Sequence, residues 1–536
     1  MKPNIHSSDW FKGAFILTLG ALITKILSAV YRIPFQNIVG DTGFYIYQQV
    51  YPFYGVVAAV STYGFPVVLS KLYMEMKMEE DYTGLSNLLR SSFFFLSSIG
   101  IVSFFFLFIG ADSIASLMGD PELSKLLKVI AFSFLISPLV ALLRGIFQGE
   151  GSMIPTAVSQ VGEQLIRVST ILITAVAFTY QGFSLYTIGA GAMFGSITGG
   201  LISLLLLFYY YKKGSYTFSF LRPVFYHKKS HKKLYKKLIF EGLTISISSM
   251  LLILVQLADS LNLYVGLVSS GINSDTAKAL KGIYDRGQPL IQMGTVLTTS
   301  MALTLVPFIT REKIKNNRKQ LVEKIQLSLT IGLFIGAGAT VGLLSIMNET
   351  NTMLFKNANG STVLSILTCI ILLNAIIVTA TAILQGLGYS LYPAVVILGS
   401  FFIKYSLNKQ LVESYGTIGA SVASIITFII IMILLLWRLA CVIKKPLMNK
   451  KSVMTIFFGA CMMFLVLKLY LLLTGLCAVF IHHDRLFSSF QAMSGVVIGG
   501  IIYLFIVIRA NIFKQEELIL LPFGSKLSLF LPTKRR

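Results

Sequence analysis

The sequence is poor in charged residues and in the residue types that build metal sites. Only 12% of the 536 residues are charged, about half of the share in soluble domains. Its five histidines have no metal-ligand spacing, and none of its four cysteines forms a C-x-x-C pair. These scarcities exclude an ordinary globular enzyme and predict no metal site. The cysteines are expected to pack as small apolar residues.

Acidic residues are the scarcer of the two charged classes. The chain has 22 Asp and Glu against 45 Lys and Arg, which gives a formal net charge of +23. In a soluble protein this excess would suggest a nucleic-acid partner, but here the basic residues lie in short segments between apolar runs. We therefore interpret them as topology signals that face anionic membrane lipid, and we expect no nucleic-acid partner.

Apolar residues are abundant: they make up 55% of the chain, and its mean hydropathy is +0.78. At about 20 residues per span, the pattern predicts an all-α polytopic membrane protein with about 14 transmembrane helices. The predicted segments are 12–34, 44–70, 90–112, 123–147, 155–179, 186–210, 238–268, 287–310, 325–347, 362–386, 393–414, 417–440, 453–475 and 488–508. The first is expected to be a retained span, because no small-x-small cleavage site follows it.

The basic residues are distributed unequally between the two sides of this arrangement. With the N-terminus inside, thirty-one Lys and Arg fall in inside segments and six in outside segments. Basic residues favour the cytoplasmic side of a membrane protein. The sequence therefore predicts a multi-pass protein of the cytoplasmic membrane with both termini in the cytoplasm, and the source is expected to be bacterial.

The sequence also repeats itself weakly at an offset of 237 to 241 residues. Tyr51-Pro52 recurs as Gln288-Pro289, Phe65-Pro66-Val67 as Val306-Pro307-Phe308, and Gln148-Gly149 with Pro155 as Gln385-Gly386 with Pro393. The repeat unit holds six helices, so the two copies keep one orientation. We predict two six-helix lobes related by a pseudo-two-fold parallel repeat, plus two extra C-terminal helices. The predicted regions are an N-lobe at 1–210, a basic cytoplasmic loop at 211–237, a C-lobe at 238–440, helices 13 and 14 at 441–508 and a cytoplasmic tail at 509–536.

Ionisable residues inside the predicted segments indicate a functional cavity, because each is unfavourable at a membrane centre by about 2.5–3.5 kcal/mol. Glu163 and Arg167 share a helix face, and Arg167 and Lys404 lie at nearly equal depth in the two repeats. We predict a cationic wall that suits an anionic headgroup, above all a diphosphate. The predicted cavity residues are Lys25, Arg32, Arg144, Glu163, Arg167 and Lys404. The predicted coupling or gating residues are Glu241 and Asp259, together with Glu150, Asp285 and Arg286, which lie between predicted segments. The predicted hinges are Pro52, Pro66, Pro289 and Pro307.

Structural explanations stay open for several of these residues. Glu163 and Arg167 could form a salt bridge that stabilises one helix, and Lys25 could extend to the outer interface. Arg144 and Glu150 could lie at the interface, and Asp259 could cap a helix or face the outer interface.

The region that contains these charges resembles a known family. The matching motifs are LRGIFQG at 143–149, MIPTA at 153–157, SQV at 159–161, Glu163-Gln164, Arg167-Val168, YRIP at 31–34 followed by Gly40, and YDRGQPL at 284–290. They are similar to the stage V sporulation protein B-like polysaccharide-export proteins and to the MurJ lipid II flippases. Both groups belong to the multidrug/oligosaccharidyl-lipid/polysaccharide exporter superfamily. The resemblance extends over essentially the whole chain.

The resemblance implies a two-lobed, V-shaped transporter of fourteen helices that alternates access. It would move undecaprenyl-diphosphate-linked cell-wall or polysaccharide precursors from the inner to the outer leaflet. Lys25 matches a cavity arginine of the lipid II flippases, whereas Tyr31 departs from the next arginine and Arg32 follows one place later. The two extra helices would offer a groove for the polyprenyl tail.

No cofactor is expected, and no P-loop is present in the sequence. A coupling ion, either a proton or sodium, or the membrane potential would drive transport. Three alternatives stay open: an ion-coupled small-molecule or drug antiporter of the same superfamily, a membrane glycosyltransferase or polymerase, and a structural or regulatory membrane partner. We expect a transporter rather than an enzyme, because no outside loop is large. The glycan and the oligomeric state are left open.

Overall fold

The structure is a computed structural model that describes residues 7–214, 231–314, 318–477, 484–510 and 512–513. Much of the predicted basic loop and of the predicted tail lies outside these residues. The described α-helices are α1 (Ser7–Val30), α2 (Arg32–Ala59), α3 (Phe65–Met78), α4 (Tyr82–Leu117), α5 (Ser124–Ala131), α6 (Ser133–Gly149), α7 (Ile154–Tyr180), α8 (Leu185–Lys213), α9 (His231–Ser248), α10 (Leu251–Ser269), α11 (Ser274–Asp285), α12 (Gly287–Ile314), α13 (Arg318–Ser345), α14 (Met347–Phe355), α15 (Ser361–Gly386), α16 (Leu391–Ile443), α17 (Lys450–Cys477) and α18 (Asp484–Arg509). All regular structure in the described residues is helical, which confirms the all-α prediction.

Eleven helical stretches of the described chain are long and apolar enough to cross a membrane. Two of them, Ile16–Met78 and Leu391–Ile443, have 63 and 53 residues, more than twice the roughly 20 that one span needs. Gly40 and Gly416 interrupt these stretches with φ angles of 71° and 57°, which glycine adopts without a clash of a side chain. The multi-pass fold is confirmed, and the exact number of 14 spans stays a prediction.

Close packing of α7 against α8 depends on two glycines. A methyl group at Gly199 would lie 2.7 Å from the Glu163 carbonyl oxygen and 3.0 Å from Cβ of Arg167. One at Gly195 would lie 2.9 Å from the Arg167 carbonyl oxygen. Small residues let the backbones of membrane helices approach closely. This contact fixes the part of α7 that carries Glu163 and Arg167.

The predicted hinge prolines fall at different kinds of position. Pro52 lies inside α2, where a proline removes one backbone hydrogen bond. Pro66 lies in the first turn of α3, directly after a π-helical turn at Val60–Gly64, and Pro289 lies near the start of α12. The backbone of Pro307 belongs to α12, but its side chain lies outside the described residues. The hinge role of all four stays a prediction.

The chain forms two compact units. Residues 1–285 and 389–423 belong to the first, and residues 286–388 and 424–536 belong to the second. In the first unit, α3 packs on α6 through residues such as Leu69, Tyr73 and Leu143. In the second, the rings of Phe334 and Tyr503 stack with centres 5.2 Å apart. These units divide the chain at other points than the predicted lobes, whose boundaries stay a prediction.

Candidate functional site

The first unit contains a buried group of two arginines and four tyrosines, which we call the arginine–tyrosine cluster. Its members are Arg32, Arg167, Tyr31, Tyr47, Tyr51 and Tyr54. Tyr47, Tyr51 and Tyr54 are spaced by four and three residues along α2, so they lie on one helix face. Arg167 comes from α7, and Tyr31 joins α1 to α2.

Arg167 is held by both rings and hydroxyl groups. Its guanidinium carbon lies 4.0 Å from the centre of the Tyr54 ring. Its Nη2 donates a hydrogen bond to the Tyr31 hydroxyl at 3.0 Å, and its Nη1 donates to Gln164 Oε1 at 3.3 Å. The hydroxyls of Tyr31 and Tyr47 are 2.7 Å apart. Stacking and hydrogen bonding together fix the orientation of this guanidinium.

Arg32 is fully buried, with no exposed surface. Its guanidinium carbon lies 4.2 Å from the centre of the Tyr51 ring and 5.9 Å from that of Tyr31. Its Nε, Nη1 and Nη2 donate to no residue that the structure describes. A tyrosine face attracts a cation but accepts few of its hydrogen bonds, so Arg32 keeps a planar set of donors that suits a phosphate or carboxylate.

Arg144 contrasts with Arg32, because its donors are occupied. Its Nη2 lies 2.7 Å from Glu163 Oε2 and 2.9 Å from the Ser203 hydroxyl. Its Nε donates to Ser159 at 3.1 Å, and its Nη1 donates to Thr62 at 3.1 Å. Glu163 therefore forms its ion pair with Arg144 of α6, although Arg167 shares its helix face in sequence. The salt bridge considered between Glu163 and Arg167 is replaced by a pair between two helices.

Glu163 also contacts the arginine–tyrosine cluster. Its Oε1 accepts a hydrogen bond from the Tyr54 hydroxyl at 3.3 Å. This carboxylate thus connects Arg144 to the ring that stacks on Arg167. Since Arg144 neutralises Glu163, the cluster keeps an excess of positive charge.

Lys404 and Asp259 form a second buried network in the same unit. The Lys404 ammonium lies 3.0 Å from Asp259 Oδ1 and donates to the Ala420 carbonyl at 2.6 Å. Asp259 also accepts hydrogen bonds from Asn408 at 2.7 Å and from Tyr284 at 2.9 Å. Asp259 is therefore a buried ion-pair partner and not a helix cap. Lys404 is neutralised here, and its role in binding cargo stays a prediction.

Asp285 and Arg286 are neighbours in sequence that belong to different units. Asp285 accepts from Lys281 at 2.7 and 2.8 Å, and burial raises its pKa to about 6 against the opposing effect of that lysine. Arg286 is fully buried in the second unit, where its Nη1 donates to Asn357 at 2.8 Å and to Asn351 at 3.3 Å.

The other predicted site residues lie apart from these networks. Lys25 is half-buried in α1 and has no hydrogen bond to a residue that the structure describes. Glu150 contacts the Tyr73 hydroxyl and the Lys77 ammonium. Glu241 forms an exposed ion pair with Lys71 at 3.4 Å. The coupling and gating roles of Glu150 and Glu241 stay predictions.

The tyrosines of the cluster and Lys281 were not predicted as site residues. The spacing of Tyr47, Tyr51 and Tyr54 beside Pro52 was the available signal, but the same spacing is typical of an ordinary packed face. Among the described residues, no group of three or more His, Cys, Asp or Glu side chains is arranged to hold a metal ion.

Comparison with known proteins supports the family that the motifs resemble. The chain matches the family described as polysaccharide biosynthesis protein over residues 10–313. It is 44% identical over 526 residues to the uncharacterized membrane protein YabM of Bacillus subtilis (strain 168), which covers 97% of this chain and 96% of that protein. It is 28% identical over 451 residues to the lipid II flippase MurJ of the same organism, which covers 79% and 81% of the two chains.

A solved structure is similar to the fold of the whole chain. The lipid II flippase MurJ in an inward closed conformation matches with a TM-score of 0.64 at 18% identity, over 93% of this chain and 97% of that one. The resemblance inferred from the motifs is confirmed. The chain therefore belongs to the polysaccharide biosynthesis protein family, and it is a multi-pass membrane protein with a MurJ-like fold.

Proposed function

We propose that this protein is a flippase for an undecaprenyl-diphosphate-linked glycan, a precursor of the cell wall or of another polysaccharide, and that it works by alternating access across the cytoplasmic membrane. The observation that carries the proposal is Arg32, whose fully buried guanidinium lies against the Tyr51 ring while its Nε, Nη1 and Nη2 have no hydrogen-bond partner among the described residues. Arg167 stacks on the same tyrosines. Two such cations suit the two phosphate groups of a diphosphate.

The proposed roles follow from this geometry. Arg32 offers its planar donors to one phosphate, and Arg167, fixed by Tyr31 and Tyr54, faces the other. Lys25 lies about two helical turns before Tyr31 and adds a positive charge on the path by which the diphosphate reaches the cluster. The glycan would remain in water while the polyprenyl tail stays in the bilayer.

The membrane potential is the favoured source of energy. The buried carboxylates of Asp259 and Asp285 and the partly buried carboxylate of Glu163 each already face a basic side chain, so none of these three is open to a coupling cation. An anionic headgroup that moves out of a negative cytoplasm gains about 2.3 kcal/mol per charge at 100 mV. The empty carrier, whose cluster is positive, would return in the direction that the same potential favours.

Native mass spectrometry of the full chain in mild detergent tests this proposal. The protein is supplied with an undecaprenyl-diphosphate-linked glycan, and the retained lipid is compared between wild type, Arg32→Ala and Arg167→Ala. Arg90→Ala is the matched control, because Arg90 is not part of the cluster. Its guanidinium carbon lies 5.8 Å from the centre of the Phe94 ring. We expect the control to retain the lipid and both cluster variants to lose it.

Two results would count against the flippase. Equal retention in all four proteins would remove the cluster from the binding site. Saturable binding of a small organic cation, without retention of any polyprenyl lipid, would favour the drug-antiporter alternative, although the positive cluster disfavours cations.

A further inference from the structure

A groove lies between α9 and the beginning of α16, outside the arginine–tyrosine cluster. We call it the α9–α16 groove. It encloses about 570 Å³, and its apolar lining includes Ile239, Leu243 and Ile247 from α9 and Leu391, Val395 and Leu398 from α16. Both segments belong to the first compact unit.

The sequence spacing explains the shape of the groove. Its lining residues recur every three or four positions on each helix, so each helix turns one continuous apolar face toward the groove. Large side chains within it stay accessible: Phe240 is 50% exposed and Val395 is 60% exposed. An apolar stripe is usual on a helix that faces lipid, but here two stripes form the walls of one concave site.

The length of the groove matches one leaflet of a membrane. Lys236 and Ile247 both line it, and they are separated by about 16 Å along an α-helix. The hydrocarbon core of a bilayer is about 30 Å thick, so the groove spans about half of that. Lys236 lies at one end of the groove and belongs to the basic segment 211–237, which the charge distribution predicts to be cytoplasmic.

Lys236 differs from the basic residues around it. The ammonium of Lys237 donates to Glu75 at 3.1 Å, and that of Lys71 lies 3.4 Å from Glu241. Lys236 is exposed and pairs with no carboxylate among the described residues. The groove therefore has apolar walls of one leaflet's length, and a cation without a carboxylate partner among the described residues lies where a lipid phosphate would lie.

We propose that the α9–α16 groove binds an anionic phospholipid of the cytoplasmic leaflet, with one acyl chain between the two helices and the headgroup phosphate at Lys236. Charge complementarity selects an anionic over a zwitterionic headgroup. The leaflet-sized length favours an ordinary acyl chain over a much longer polyprenyl tail. The bound lipid would connect α9 to α16, and this site is separate from the proposed glycan-lipid site.

Tryptophan quenching can locate this lipid, because the chain has only two tryptophans. In a background of Trp10→Phe and Trp437→Phe, a single probe is introduced by Phe240→Trp inside the groove. The matched control is Phe106→Trp, since Phe106 is 71% exposed on α4, a helix that does not line the groove. The full chain is reconstituted in vesicles of equal parts phosphatidylcholine and phosphatidylglycerol, with bromine on the acyl chains of one lipid or the other.

The probe in the groove should report a headgroup preference. We expect brominated phosphatidylglycerol to compete about fivefold better than brominated phosphatidylcholine for the site at position 240, as one basic residue near a phosphate allows. At position 106 the two lipids should quench equally. Lys236→Ala should remove the preference at position 240, and Lys237→Ala should leave it unchanged.

Three outcomes would overturn the assignment. Equal quenching by both lipids at position 240 would show that no headgroup is selected. A preference that survives Lys236→Ala would place the phosphate elsewhere. Displacement of the brominated phosphatidylglycerol by undecaprenyl phosphate at an equal amount would make the groove a site for the carrier tail. Lys236 is a surface residue outside the arginine–tyrosine cluster, so none of these results depends on the proposed flippase activity.

Discussion

Two buried cations in the first unit are surrounded by different kinds of partner. Lys404 faces the Asp259 carboxylate at 3.0 Å and the Ala420 carbonyl at 2.6 Å. Arg32 is equally buried, but it faces the Tyr51 ring at 4.2 Å, and its donors are free of described partners. A carboxylate neutralises a cation, whereas a ring holds it and leaves its N–H groups available. The partner, and not the burial, distinguishes a cation that stabilises packing from one suited to bind an anion.

The largest effect is expected when Lys404 loses its charge. Lys404→Met leaves Asp259 buried without a cation, which should lower the free energy of unfolding by about 3–5 kcal/mol. Thermal and denaturant unfolding in detergent would measure it. Lys468→Met is the control, because Lys468 donates only to the Ser345 carbonyl among the described contacts. If both variants unfold like wild type, the Lys404 ion pair does not stabilise the fold. Adding Asp259→Asn to Lys404→Met should recover part of the loss.

A smaller effect is expected from removal of the charge on Glu163. Glu163→Gln removes the carboxylate that pairs with Arg144. Arg144 keeps its hydrogen bonds to Thr62, Ser159 and Ser203, so we expect a loss of about 2–3 kcal/mol in unfolding free energy. Glu122→Gln is the control, since Glu122 forms an exposed pair with Lys125 and should change stability little. A loss no greater than that of the control would mean that Arg144 needs no carboxylate, and the contrast with Arg32 would fail.

The close packing of α8 against α7 can be altered by a substitution that changes no charged residue. Gly199→Ala places a methyl group against the Glu163 carbonyl and Arg167 Cβ, so we expect a loss of about 1–3 kcal/mol in unfolding free energy from overpacking, together with weaker retention of the glycan lipid. At Gly399, no described atom beyond the neighbouring residues and the backbone of its own helix lies within 4 Å of an added methyl group. Gly399→Ala should therefore be neutral or stabilising. Equal behaviour of the two variants would contradict the role of close packing in positioning Arg167.

The smallest effect is expected from two substitutions of Tyr54 that distinguish the contribution of its ring from that of its hydroxyl. Tyr54→Phe keeps the ring that lies 4.0 Å from the Arg167 guanidinium and loses the hydrogen bond to Glu163. We expect it to reduce glycan-lipid retention less than Tyr54→Leu, which also loses the cation–π interaction, by a difference of about 1–2 kcal/mol. Titration of the lipid followed by native mass spectrometry measures the two affinities. Equal losses would assign the effect to the hydroxyl.

The helices were largely predictable, and their breaks were less so. The predicted segment 155–179 and the observed α7 (Ile154–Tyr180) agree within a residue at each end, because Pro155 suits the first turn of a helix. The predicted segment 44–70 instead falls across α2, a π-helical turn and α3. A π-helical turn depends on how neighbouring helices pack, and the apolar pattern carries no signal for it.

The site was predictable only as a set of charges. Arg167 was predicted because an ionisable residue inside a span is unfavourable unless it has a function or a partner. Arg32 was predicted because it lies in the YRIP motif that resembles the family. Sequence spacing placed Glu163 beside Arg167, whereas the fold brings Arg144 of α6 to that carboxylate. Tyr31 and Tyr51, whose rings lie against the Arg167 and Arg32 guanidinium groups, were missed because tyrosines at helical spacing are common in packed cores.

The sequence by itself determined that this protein folds in a membrane and that its secondary structure is helical. A chain with few charges and long apolar runs must place those apolar runs in lipid. In lipid the backbone must satisfy its own hydrogen bonds, which favours helices. Only the tertiary structure decided which buried cations are neutralised. Asp259 reaches Lys404 and Glu163 reaches Arg144 across different helices, while Arg32 lies against the Tyr51 ring and forms no salt bridge with a described residue. Ion pairing depends on distances of a few ångströms between side chains, and those distances exist only once the helices have packed.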